Sequence, residues 1–301
     1  METLIQSVNG GARPRGLGGH RKLNRFFLRG WNMRTFGSGF LGACVALSVL
    51  RSAQADDRNF TYSYEAKTLP EGSWELEQWA TLQEGKEAGR WTTLLLRTEI
   101  EYGVTDRLNG SIYLNANYQA NHEVPGESDV HDFGFDSMST EWKYKVTDPS
   151  LDAVGSLLYG ELKLSHDEYE IETKIVLSKA VGPFTFAYNF IWEAVLARSP
   201  DAASSPQWTW EHELSNTLGA SYGISANYAV GVEAYDISRF ERSLGGAHTH
   251  AYYAGPNVHY SGGSWWATLT LLEQVGFGHG LEFTDGDNTK YSIRLIVGVN
   301  F

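Results

Sequence analysis

The stretch Leu108-Asn109-Gly110-Ser111-Ile112-Tyr113-Leu114-Asn115-Ala116-Asn117-Tyr118-Gln119-Ala120 alternates without a break. Leu108, Gly110, Ile112, Leu114, Ala116, Tyr118 and Ala120 take one side, and Asn109, Ser111, Tyr113, Asn115, Asn117 and Gln119 the other. Successive side chains on a β-strand point to opposite faces, so this reads as a strand with one apolar and one polar face. The last segment repeats it, with Tyr291, Ile293, Leu295, Val297, Val299 and Phe301 set against Ser292, Arg294, Gly298 and Asn300. Ile296 is its one exception. Phe184, Phe186, Tyr188, Phe190 and Trp192 alternate with Thr185, Ala187, Asn189 and Glu193, and Ile171, Thr173, Ile175 and Leu177 with Glu172, Lys174 and Ser178.

Between such runs, turn-forming residues cluster in short stretches near 104–107, 147–152, 180–183, 223–226 and 261–264. Longer polar stretches fall near 83–90, 121–134, 165–170, 196–207, 239–249 and 276–289. Short and long connections interchange and join twelve strands, starting near Trp74, Trp91, Leu108, Phe135, Ala153, Ile171, Phe184, Trp208, Asn227, His250, Trp265 and Lys290. Alternation alone does not separate a soluble sandwich from a membrane barrel, since both have one apolar face. The interchange of connections does, because a membrane barrel has turns at one end and loops at the other. Aromatic residues at strand ends add to this. Trp192, Trp208 and Trp210 flank a long loop, and Trp265 and Trp266 follow a turn, an interfacial belt at headgroup level. The fold expected is all-β: a closed antiparallel transmembrane barrel of about twelve strands over residues 73–301, its first strand paired with its last because hydrocarbon offers an open edge no partner.

The whole chain has 301 residues, 24 Lys+Arg against 36 Asp+Glu, and a formal charge of −12. That charge argues against a nucleic-acid binder, and the single cysteine excludes a disulfide framework or a multi-cysteine metal site. The basic residues are concentrated at the front: Arg13, Arg15, Arg21, Lys22, Arg25, Arg29, Arg34 and Arg51 precede Ala55, with Glu2 as the one acid there. The apolar run from Phe36 to Leu50 follows, and then Ala53-Gln54-Ala55. Basic, apolar and small in that order is a secretory signal peptide, cleaved after Ala55. Residues 1–55 are therefore expected to be a signal peptide with an over-long start, Met33 marking a signal of ordinary length. Residues 56–72 are expected to be a periplasmic lead-in, although Phe60, Tyr62 and Tyr64 alternate and also fit a short strand or a lumen insert.

A chain ending in an alternating strand with Phe301 as its last residue resembles the Gram-negative outer-membrane β-barrels. The resemblance implies residence in the cell outer membrane and reading of Phe301 by the barrel-insertion machinery. It also implies contact with outer-membrane lipids and lipopolysaccharide. The opening Leu69-Pro70-Glu71-Gly72-Ser73-Trp74-Glu75-Leu76-Glu77 is similar to the first strand of the uncharacterised phenol-degradation-type outer-membrane family, which implies a transporter or porin-like role, a channel for hydrophobic solutes.

With apolar positions facing lipid, the charges of the other parity face the lumen. The acids are Glu75, Glu77, Glu99, Glu101, Glu141, Glu161, Glu172, Glu211, Glu213 and Glu233. The bases are Arg97, Lys143, Lys145, Lys163, Lys174 and Arg294. An excess of carboxylates raises the local cation concentration, so the function expected is a passive, cation-preferring channel or transporter for small solutes. A structural barrel whose charges pair across strands and fill the lumen is the competing reading. The third is a lipid-acting hydrolase, for which Trp210-Glu211-His212-Glu213-Leu214-Ser215-Asn216 is the nearest candidate. His212 and Ser215 have opposite parity and cannot meet without a bulge, so no enzyme and no cofactor is expected. The acidic loop residues Glu123, Glu127, Asp129, Asp132, Asp285 and Asp287 lack complete calcium-loop spacing, and His248 with His250 lacks a third zinc ligand, so no metal is expected.

Overall fold

The computed structural model describes residues 57–86, 89–124, 129–199, 207–241, 249–276 and 288–301. The expected signal peptide with Ala55, and the loop residues Glu127, His248, Asp285 and Asp287, lie outside the described residues. Twelve strands follow in order: β1 (Trp74–Glu84), β2 (Arg90–Thr105), β3 (Leu108–His122), β4 (Val130–Thr147), β5 (Gly155–Ser165), β6 (Glu168–Val181), β7 (Phe184–Ser199), β8 (Gln207–Gly223), β9 (Tyr228–Glu241), β10 (Thr249–Ser261), β11 (Trp265–Gln274) and β12 (Tyr291–Asn300). Each pairs antiparallel with its neighbour in sequence, and β1 pairs with β12 to close the barrel. Trp74 and Phe301 exchange backbone hydrogen bonds at the seam.

Strand starts at Trp74, Leu108, Phe184 and Trp265 coincide with the sequence reading, and the largest departure is β4, which begins at Val130 rather than Phe135. Polar strand ends beyond the bilayer keep pairing without hydrophobic alternation, so they look like loop in the sequence. The interchange of connection lengths is also looser than expected. The β4–β5 connection on the turn side spans 148–154, while β5–β6 on the loop side has only 166–167.

The molecule is inside-out. Ile112, Leu218 and Val232 are 59%, 58% and 59% exposed, whereas Glu75 and Glu101 are fully buried within the lumen. Trp208, Trp210 and Trp265 lie on the outer surface, and Trp192 is half-buried there, stacked on His212. Trp266 does not join this belt. Neighbouring residues on a strand face opposite sides, so Trp265 points to lipid and Trp266 into the lumen, where it is fully buried and its indole N–H donates to Glu75.

Residues 57–72 differ most from the sequence reading. They do not hang below the barrel as a lead-in; they fold back into the lumen. Asp57 lies 3.5 Å from His259 near the turn end of β10. The chain then rises to Tyr62, whose hydroxyl is 2.8 Å from Ser292 Oγ near the loop end of β12. It returns to the β2–β3 turn, where Thr68 donates to the Asp106 carbonyl and Glu71 N–H to the Asp106 carboxylate. Its fully buried side chains, Phe60, Thr61, Ser63, Ala66 and Leu69, plug the turn-side half of the lumen.

Candidate functional site: a plugged lumen with a row of carboxylates

An irregular backbone is tolerated inside a membrane protein only where protein groups satisfy it. The wall does this with inward polar side chains. Glu233 on β9 accepts from three consecutive plug amides, Thr61, Tyr62 and Ser63, at 3.0, 2.9 and 2.9 Å, and from the hydroxyl of Thr270 at 2.6 Å. Asn189 on β7 imitates a neighbouring strand: its Oδ1 accepts from Tyr64 N–H at 2.6 Å and its Nδ2 donates to Tyr64 carbonyl at 3.0 Å. Ser178 accepts from Ala66 N–H, and Asn257 and Thr268 donate to the carbonyls of Asn59 and Arg58. Within the plug, Lys67 binds Glu65 at 2.9 Å, and Glu65 accepts from Asn59 N–H at 2.8 Å. Burial pushes the Asp57 carboxyl up, but the His259 hydrogen bond and the Lys67 charge outweigh it and hold the group below the usual carboxylate range.

The apolar part of the fit explains the broken alternation. Ile296 is inward and fully buried, clustered with Tyr64, Ala66, Trp79, Leu157, Tyr159, Val176 and Trp266. Phe60 lies over Gly219, where a Cβ would stand 2.8 Å from the ring. Apolar residues at lumen parity in one half of the barrel are thus the sequence signal for a plug. Replacing Glu233 with Gln removes the charge that three amides share and places an N–H₂ among donors. We expect about 1–3 kcal/mol lower stability and faster protease cutting within 57–69 while the barrel stays intact, read by mass spectrometry.

On the loop side of the plug the lumen opens into a cavity of about 430 Å³ with Tyr62 and Tyr64 in its floor. Its lining includes Asp136, Glu161, Glu170, Glu172, Glu193 and Glu213 against Arg97, Lys163, Lys174 and Arg294. Arg97 pairs with Glu161 at 3.1 Å, Lys163 with Glu168 and Glu170 at 2.9 and 2.8 Å, Lys174 with Glu172 at 2.6 Å, and Arg239 with Glu213 at 2.9 Å. Arg294 bridges wall and plug, donating to Thr81 and to the Thr61 carbonyl and lying over the Tyr62 ring. Glu75, Glu77, Glu99, Glu101, Glu141 and Lys143 sit lower, buried in the wall beside the plug. Glu211 has lumen parity but is exposed near the loop end of β8. Asp136, Glu170 and Glu193 belong to the lining in addition to the acids expected there; Glu193 has a legible inward parity, whereas Glu170 falls in a stretch that reads as a loop and Asp136 beside the strand start expected at Phe135.

The register arranges these acids in an order that parity does not reveal. Glu75 lies opposite Glu101, Glu101 opposite Ser111, Ser111 opposite Glu141, and Glu141 opposite Glu161. Glu161 then faces Glu172, Glu172 faces Glu193, Glu193 faces Glu213, and Glu213 faces Arg239. Directly paired residues sit about 5 Å apart. Strands tilt against the barrel axis, so this row climbs the wall from the second residue of β1 at the turn end to Glu213 in the loop-side cavity. Like charges directly opposite each other are destabilising; a row of them is a cost to folding.

The hydrolase candidate fails on geometry. β8 pairs with β7 and β9 without a register break. His212 therefore lies on the outer face between Trp192 and Trp210, while Ser215 faces inward, 3.3 Å from Glu213. His250 is engaged with Ser238.

The fold matches solved outer-membrane barrels. An outer-membrane channel from Pseudomonas putida F1 is 12% identical, with 78% of this chain and 98% of that chain covered and a TM-score of 0.54. The NanC porin is 13% identical over 74% of this chain and 98% of that chain, with a TM-score of 0.49. At such identities the likeness shows the fold alone: a closed barrel of the outer-membrane kind. No curated protein matches the sequence. A family model described as a family of unknown function (DUF6662) matches residues 52–301.

Proposed function

The chain belongs to that family of unknown function, and we propose that it is an outer-membrane channel for small polar solutes, cation-preferring, with its N-terminal segment as a lumen plug. The observation that carries the reading is the charged loop-side cavity, with six acids and four bases, ending on a segment that hydrogen bonds hold in place. A passage for apolar solutes would not be lined this way, and a purely structural interior has no need of an open cavity. The net negative lining favours cations, because carboxylates in a narrow low-dielectric space concentrate counter-ions. The phenol-degradation resemblance of the first strand also implies transport, but of hydrophobic solutes, which the charged lining does not suit. Lipids and lipopolysaccharide surround the outer face, the insertion machinery reads Phe301, and the segment through Ala55 is a cleaved signal.

The test is reversal potential in planar bilayers under a KCl gradient. Cation preference is expected, and Glu172→Gln, Glu193→Gln and Glu213→Gln together are expected to reduce or invert it. A preference for anions in the unaltered protein refutes the charge argument. A second reading, a closed structural barrel, is favoured by the complete burial of Phe60, Thr61, Ser63, Ala66 and Leu69. It predicts bilayers that stay silent whether or not the plug is present.

A further inference from the structure

We propose that Glu99, Glu101 and Glu141, with Ser111 and Asn109, bind one divalent cation, calcium in preference to magnesium, in the wall formed by β2, β3 and β4. One carboxylate oxygen from each glutamate lies within 4.8 Å of the others. The second observation is two buried neutral oxygens beside the same carboxylates, that of Ser111 on the residue facing two of them. Ser111 is directly opposite both Glu101 and Glu141 in the register. It is 4% exposed, and its Oγ has no hydrogen-bond partner. Asn109 is fully buried with its amide head at the cluster, since Nδ2 donates to Glu101 at 2.6 Å. Its Oδ1 is likewise without a partner.

The carboxylates are oriented for a cation too. Tyr113 donates to one oxygen of Glu141 and leaves Oε1 with no hydrogen bond, and Glu99 Oε1 is also unbonded. A buried oxygen left unmatched costs roughly 1–3 kcal/mol, and four from four residues on three adjacent strands are what a metal ion repairs. Lys143, 2.7 Å from Glu101 and 3.6 Å from Glu141, neutralises one of three carboxylates. With Glu75 and Glu77 directly opposite Glu101 and Glu99, carboxylates outnumber the buried cations Lys143 and Arg58 around the cluster. The donors are all oxygen, the preference of hard cations. Calcium at about 2.3–2.6 Å from each ligand spans this spread, while magnesium demands shorter bonds. The route in is the row itself, because Glu161 is paired with Glu141 and lines the loop-side cavity.

The refolded full chain, stripped with EDTA, is titrated with CaCl₂ by calorimetry, and Tb³⁺ luminescence is excited through Tyr113. One saturable equivalent, a raised thermal midpoint with calcium and sensitised terbium emission are expected. The double variant Glu99→Gln/Glu141→Gln is expected to lose at least about tenfold in calcium affinity. It should fold in EDTA, because the repulsion is gone. If it does not fold, Ser111→Ala, which removes one neutral ligand, is expected to weaken binding severalfold. The surface control Glu123→Gln/Asp129→Asn is expected to bind as the unaltered chain does. Absence of a saturable equivalent, unchanged affinity in the wall variants, or loss of it in the surface control overturns the proposal.

Discussion

Deleting residues 57–68 from the folded barrel is expected to raise single-channel conductance on the order of tenfold, the scale of opening a side-chain-filled lumen to water. The turn-side half of the lumen is closed by this segment. Phe60, Thr61, Ser63 and Ala66 are fully buried, and Tyr64 fills the space between Trp79, Tyr159 and Trp266. Without it, Glu233, Asn189, Ser178, Asn257 and Thr268 lose their plug partners and line the gap with polar groups that water satisfies. Closure does not depend on the segment, because every strand pair is made by the wall alone. The deleted protein should therefore fold and show the heat-modifiable mobility of a barrel. Folded protein that stays silent without the segment would mean that the wall itself seals the pore, and the channel reading would fall with it; an unchanged, non-zero conductance would mean that the segment is not the barrier.

The second large effect lies on the opposite face. Leu295 is halfway along β12, points outward and is 40% exposed. β12 has ten residues, about the length that crosses the hydrocarbon obliquely, so its middle lies near the bilayer midplane. Leu295→Arg is expected to cost about 2–4 kcal/mol, the price of a guanidinium at that depth. Reversible urea unfolding in lipid reads the loss. The same substitution in a soluble sandwich would bury a charge between sheets and abolish folding, whereas a near-zero effect would place Leu295 in water. Arg294, one residue away, is tolerated because it points inward, where Thr81 and the Thr61 carbonyl accept its hydrogen bonds.

The buried carboxylates of β2 and β4 mark where residue patterns stop. Glu99, Glu101 and Glu141 were each placed inward by parity, yet no spacing along the chain brings them together. Glu101 and Glu141 meet only through Ser111, forty residues of chain being folded into two strand widths. The row from Glu75 to Glu213 is invisible for the same reason. It exists in the hydrogen-bonding direction, across strands, and depends on every register between them.

Parity is a local property of extended backbone, and so the chain's pattern alone determined what is local: the strands, their inward and outward faces, and the seam that hydrocarbon requires. Trp266 follows the same rule: it neighbours the lipid-facing Trp265, and its opposite parity sends it into the lumen. Which half of the lumen is filled, and by what, was decided only in three dimensions. The interior of a twelve-strand barrel is wide enough to admit a second piece of chain. Whether it does depends on how inward groups as distant in sequence as Asn189, Glu233 and Ile296 converge on one volume. Ile296, the single break in the final strand's alternation, marked that volume without saying that Tyr64 and Ala66 would fill it.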